Sequence, residues 1–108
     1  MRFETVEDGG LLVTGLTELA ASNAGRVRDG IRAALPPGCR RLDLDLSQTR
    51  FVDSSGLGTL IALHKTLRSS GGELRVLYPT QGVIQILELT RLHGLFEIVL
   101  GTSPHPAE

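Results

Sequence analysis

The succession of apolar patterns along these 108 residues predicts one α/β domain, a mixed sheet flanked by helices in the order ββαβαβαβ. Three observations carry this. Gly9-Gly10 separates two short stretches of strand character, Leu42, Leu44 and Leu46 alternate with Asp43, Asp45 and Ser47, and three segments of helical period are interleaved with short strand patterns.

Taken in order, Phe3 to Val6 and Leu11 to Thr14 form an opening hairpin around the glycine pair. From Ser22 the spacing of Ala24, Val27, Ile31, Ala34 and Leu35 places one apolar face on a helix that Pro36-Pro37-Gly38 stops, with Ser22 or Asn23 as its N-cap. The alternating run at 42–47 is a strand with one apolar and one polar face, and Asp43 and Asp45 are expected on the solvated or partner-facing side. After Phe51-Val52-Asp53 a second helix begins near Ser54 or Ser55, one serine serving as cap. Its apolar arc holds Leu57, Leu60, Ile61, Leu63 and Leu67, and Gly71-Gly72 ends it. Leu74 to Tyr78 is a strand, Pro79-Thr80 opens a helix with Val83, Ile84, Ile86 and Leu87, and Phe96 to Leu100 closes the domain. Strands alternating with helices imply parallel crossovers for the later strands. The domain is expected to span 1–100, and 101–108, with Pro104 and Pro106 and no apolar pattern, a flexible tail.

Bulk composition narrows the function. Eleven Lys and Arg against twelve Asp and Glu give a net charge of -1, which offers no field for nucleic acid or acidic lipid. The N-terminus is acidic where a signal peptide is apolar, and no run approaches the ~18 residues of a membrane span. Cys39 stands alone, which suits a reducing, cytoplasmic setting.

Ser54 and Ser55 lie between a strand end and a helix start, where unpaired backbone N–H groups and the helix dipole favour negative charge. A hydrolase elbow needs a glycine two positions before its serine, and Val52 and Asp53 stand there instead. His64 is too far along the same helix to act as base for Ser55, so no catalytic residue is assigned. Gly56-Leu57-Gly58 meets Ile61 where a dinucleotide loop needs its third glycine, and the two glycines are expected instead to let the helix start approach the sheet or a partner closely. His64, His93, His105 and Cys39 share no metal-ligand spacing, so neither metal nor cofactor is expected.

The stretches Leu44-Asp45-Leu46-Ser47 and Phe51-Val52-Asp53-Ser54-Ser55-Gly56-Leu57-Gly58 resemble the STAS domains, in their free-standing anti-sigma factor antagonist form. Gly71-Gly72-Glu73-Leu74, Leu87 to Leu92 and Leu95 to Ile98 support the likeness, which runs from about Gly15 to Val99. The resemblance implies the same mixed-sheet fold and a binding protein rather than an enzyme. It implies that Ser55 is phosphorylated by an anti-sigma factor that is itself a serine kinase, that a PP2C-type phosphatase reverses this, and that Asp53, Ser54, Ser55, Gly56, Leu57 and Gly58 meet the partner. The unphosphorylated form would sequester the anti-sigma factor. STAS-like domains also serve as constitutive scaffold subunits of transport ATPases or signalling complexes, the alternative role. Two departures stand out: Ala20 occupies a place where relatives often carry Asp, and where relatives tend to carry a further C-terminal helix the run Ser103-Pro104-His105-Pro106 is expected to leave that contact absent or reduced.

Overall fold

A computed structural model of the chain describes residues 1–105. Strands β1 (Arg2–Thr5) and β2 (Leu11–Thr14) form the expected antiparallel hairpin, with Gly9 at a positive φ of 81° in the turn. The rest of the main sheet is parallel: β2, β4 (Arg41–Asp45), β6 (Glu73–Leu77) and β7 (Glu97–Val99) follow one another, giving the order β1-β2-β4-β6-β7. The connections carry α1 (Ala24–Ala34), α2 (Ser54–Ser69) and α3 (Gln81–Leu89), the last followed by a single 3-10 turn at Leu92–Gly94.

A second, two-stranded parallel sheet pairs β3 (Glu18–Leu19) with β5 (Phe51–Val52). Each of these strands has only two residues, too few to show a period, so the sequence pattern passes over them. Their effect is positional. They hold the connection before α1 beside the connection before α2.

All three helices bury their apolar arcs against one face of the main sheet. Val27 and Ile31 of α1, Leu60, Leu63 and Leu67 of α2, and Val83 and Leu87 of α3 join Leu42, Leu44 and Leu46 in a single core. The strand alternation therefore puts Asp43 and Asp45 on the opposite, helix-free face. The expectation that this face leaves them solvated is incorrect: Asp43 and Asp45 are 5% and 2% exposed. Asp43 is covered by its register partner Arg75, which binds it through Nε at 2.8 Å and Nη2 at 3.0 Å, and by Arg41 Nε at 3.1 Å. A buried carboxylate survives only with such charge-assisted bonds.

Asp45 is covered from the C-terminal side. Its Oδ1 accepts the N–H of Ser47 at 2.9 Å, and its Oδ2 receives both the Ser103 hydroxyl and His105 Nδ1. Burial alone would push this carboxyl up; the bonds from Ser103, Ser47 and His105 outweigh it and hold it below the usual carboxylate range. Gly101 to His105 thus lies against the domain, with the Tyr78 and His105 rings 6.1 Å apart. Pro106 to Glu108, the remainder of the segment expected to be flexible, lie outside the described residues.

Candidate functional site

The turn between β5 and α2 is fixed by one carboxylate. Asp53, not a serine, is the N-cap: it has extended φ and ψ, and its Oδ1 accepts the Gly56 N–H at 3.0 Å. Its Oδ2 accepts the N–H of Ala21 at 3.0 Å, thirty-two residues earlier in the chain. The Asp53 N–H meets the Leu19 carbonyl at 3.3 Å, continuing the β3–β5 pairing into the turn. The backbone N–H groups of Ala21 and then Gly56 hold the Asp53 carboxyl below its ordinary range, so it is ionised at neutral pH.

Gly56 is required by this packing. A Cβ built there would stand 1.9 Å from the Leu19 carbonyl oxygen, inside any allowed contact. Gly58 differs, because a Cβ there meets nothing within 4 Å and the residue is exposed. Of the two glycines expected to permit a close approach, Gly56 does so inside the domain, while Gly58 leaves bare helix facing outward. Leu57 is half-buried on the core side.

With the cap assigned to Asp53, both serines are released from structural duty. Ser54 and Ser55 are exposed, and among the described residues neither hydroxyl has a hydrogen-bond partner. At 100° per residue, Ser54 lies about 150° from the buried line of Gly56, Leu60, Leu63 and Leu67, and Ser55 about 110° from it, on the side of Thr59. Thr59 in turn donates its hydroxyl to the Ala24 carbonyl, where α2 meets α1. Ser54 therefore points straight out and Ser55 looks toward the start of α1.

Asn23 occupies the N-cap position of α1 but makes no capping bond. Its side chain joins the Ala20 N–H at 2.9 Å to the Glu18 carbonyl at 2.8 Å and so stiffens the loop that Asp53 grips. Ala20, where relatives often carry Asp, is buried here. Beneath the turn, Thr49 is fully buried and donates to the Leu16 carbonyl at 2.6 Å, while Thr80, the N-cap of α3, donates to the Thr49 carbonyl at 3.1 Å. The sequence pattern places Thr80 at the start of this helix but marks neither Thr49 nor the bond between the two, since nothing local signals a contact over more than thirty residues.

Among the described residues no three His, Cys, Asp or Glu side chains come together as metal ligands, and no helix is long and apolar enough to cross a membrane. His64 lies on α2, nine residues beyond Ser55, with its ring edge-on to Phe96 at 5.5 Å. Ser103, His105 and Asp45 meet, but Ser103 and Asp45 both approach Nδ1 of the imidazole, which leaves no relay from carboxylate through the ring to hydroxyl.

The profile of the family described as "Mlab, STAS domain" matches residues 5–100. Among named relatives, the chain is 34% identical over 61 residues to an anti-sigma F factor antagonist of Paenibacillus polymyxa, covering 56% of this chain and 50% of that protein. It is 27% identical over 81 residues to an anti-sigma-B factor antagonist of Listeria monocytogenes, covering 75% and 71%. The chain thus spans about half the length of the first of these. A solved putative anti-sigma factor antagonist from Thermotoga maritima superposes with a TM-score of 0.81 at 24% identity, over 93% of this chain and 86% of that one. The Bacillus protein SpoIIAA superposes in its phosphorylated form at 0.73, with 19% identity, over 94% and 91%. Its unphosphorylated form gives 0.72 at 19% identity, over 94% and 88%.

Proposed function

This chain belongs to the STAS domain family, and from that premise we propose that it is an anti-sigma factor antagonist: a binding protein whose partner is an anti-sigma factor and whose affinity is set by phosphorylation at the Ser54-Ser55 pair. The observation that carries the reading is the Asp53 clamp, which takes over the capping role and leaves two free hydroxyls on a rigid, exposed turn. The family resemblance assigns the phosphate to Ser55. Ser54 is the more outward of the two, so each needs its own variant.

The chemistry supports a switch of this kind. A phosphoserine adds about -1.5 to -2 charges, which the N-terminal turn of α2 tolerates while the site is open to water. At a protein interface the same charge must be desolvated beside the ionised Asp53, and such a burden removes roughly 3 kcal/mol or more of binding, a hundredfold in affinity. The fold need not change. SpoIIAA has the same fold in both phosphorylation states, which supports a switch acting at the surface.

The partner in this reading is an anti-sigma factor that is also the serine kinase, with a PP2C-type phosphatase acting in reverse, and the protein itself performs no catalysis. Phosphopeptide mapping of the domain isolated from its own cells tests it, with Ser54→Ala and Ser55→Ala in parallel. Phosphate on one of these serines, lost in the matching variant, is expected. Its absence from both, or Ser54→Asp and Ser55→Asp variants that retain the partner like the parent, points instead to a constitutive scaffold.

A further inference from the structure

We propose that the outer edge of β1 pairs antiparallel with the same edge of a second copy of this chain, across a two-fold axis at Phe3. β1 ends the main sheet, and among the described residues no strand lies on its outer side. The hairpin fixes which backbone groups face outward. Val6 donates its N–H to the Gly10 carbonyl at 3.0 Å, and this pair continues the register that sets Glu4 opposite Leu12 and Arg2 opposite Thr14. In an antiparallel ladder alternate residues exchange both bonds, so Arg2 and Glu4 turn their N–H and C=O groups toward β2. Phe3 and Thr5 turn theirs away from it, leaving an open ladder.

The side chains of β1 select the strand that fits this ladder. Phe3 lies on the helix side, where its Cζ would stand 3.7 Å from a Cβ built on Gly30 of α1, yet the residue is 42% exposed. Arg2 and Glu4 project from the helix-free face, where they line one depression with Leu12, Thr14 and His105. A second copy must bring outward backbone groups opposite outward groups, which allows a two-fold centred on Arg2, Phe3 or Glu4. The first sets Arg2 against itself and the last sets Glu4 against itself, and like charges directly opposite are destabilising. Centring on Phe3 sets each Arg2 against the Glu4 of the copy and brings the two exposed rings together beside α1. An edge is protected from its own copies by charge of one sign; β1 carries one of each, two residues apart, and so is its own complement. This interface stands apart from the switch at Ser54 and Ser55, and neither depends on the other.

Sedimentation equilibrium of the full chain, in a concentration series up to about 1 mM, tests the pairing together with hydrogen exchange at the β1 amides. The parent should approach twice the chain mass, and exchange at Phe3 and Thr5 should slow as the dimer fills. Arg2→Glu and Glu4→Arg each place like charges opposite one another and should weaken the dimer at least tenfold. Mixed in equal amounts, the two variants should form a heterodimer within about threefold of the parent's affinity, since each supplies the charges that the other lacks. That mutual rescue also shows that both variants are folded. A parent that stays monomeric throughout, a dimer that neither reversal weakens, or two reversals that fail to rescue each other overturns the proposal. Protection of Phe3 and Thr5 that appears only when cell extract is added gives the edge to another protein and overturns it as well.

Discussion

Oδ2 of Asp53 accepts the backbone N–H of Ala21 at 3.0 Å, joining the start of α2 to the loop before α1. The same carboxylate caps its own helix through Gly56, so one side chain sets both the shape and the stiffness of the exposed turn. Asp53→Asn keeps one acceptor for the Gly56 N–H and turns an amide donor toward Ala21. Hydrogen exchange at the Ala21 amide should then rise about tenfold, with a thermal midpoint lower by roughly 5 °C. Asp53→Ala should lower it further, since both bonds go.

The two glycines of the turn should respond with opposite signs. Gly56→Ala drives a methyl group against the Leu19 carbonyl and should cost about 3 kcal/mol or more in urea unfolding. Gly58→Ala adds a methyl group in open space to a helix and should stabilise by roughly 0.5–1 kcal/mol.

Asp45, buried beneath the C-terminal segment, depends on Ser103 and His105 for two of its bonds. Ser103→Ala and His105→Ala should each destabilise by about 1–3 kcal/mol at neutral pH. The double variant should fall short of the sum, because both groups meet the same oxygen.

Acid should weaken the fold through carboxyls held low in the native state. Asp45 and Asp53 both lie below the ordinary value of 3.8, so the unfolded chain takes up protons first as pH falls. Their stabilisation is complete above that ordinary value and is lost as pH falls below about 4 toward the native values. Urea midpoints measured between about pH 6 and pH 3 should drop, and Asp45→Asn should flatten the drop while lowering stability at neutral pH.

The sequence made the main sheet and its three helices legible because each has enough residues to display a period. Leu42, Leu44 and Leu46 marked the central strand, and the Leu60, Leu63 and Leu67 arc marked α2. The strands Glu18–Leu19 and Phe51–Val52 were hidden by their length. Asp43 and Asp45 were misplaced for another reason: alternation tells which face a side chain takes but not what covers that face. Arg75 and residues 103–105 cover it, and only the strand register and the path of the chain end reveal them. The strand-to-helix turn at Asp53-Ser54-Ser55-Gly56 was legible from the pattern, while the cap was given to a serine. The carboxylate's second partner, Ala21, is what distinguishes Asp53 from its neighbours, and that contact crosses thirty-two residues.

The central claim is that phosphate on the Asp53-capped turn controls binding. It is tested most directly by measuring the affinity of the partner for the domain carrying phosphoserine at position 55, at position 54, or at neither. A roughly hundredfold weaker complex with phosphate at one of the two positions is expected. Affinities equal within twofold for all three forms would contradict the account.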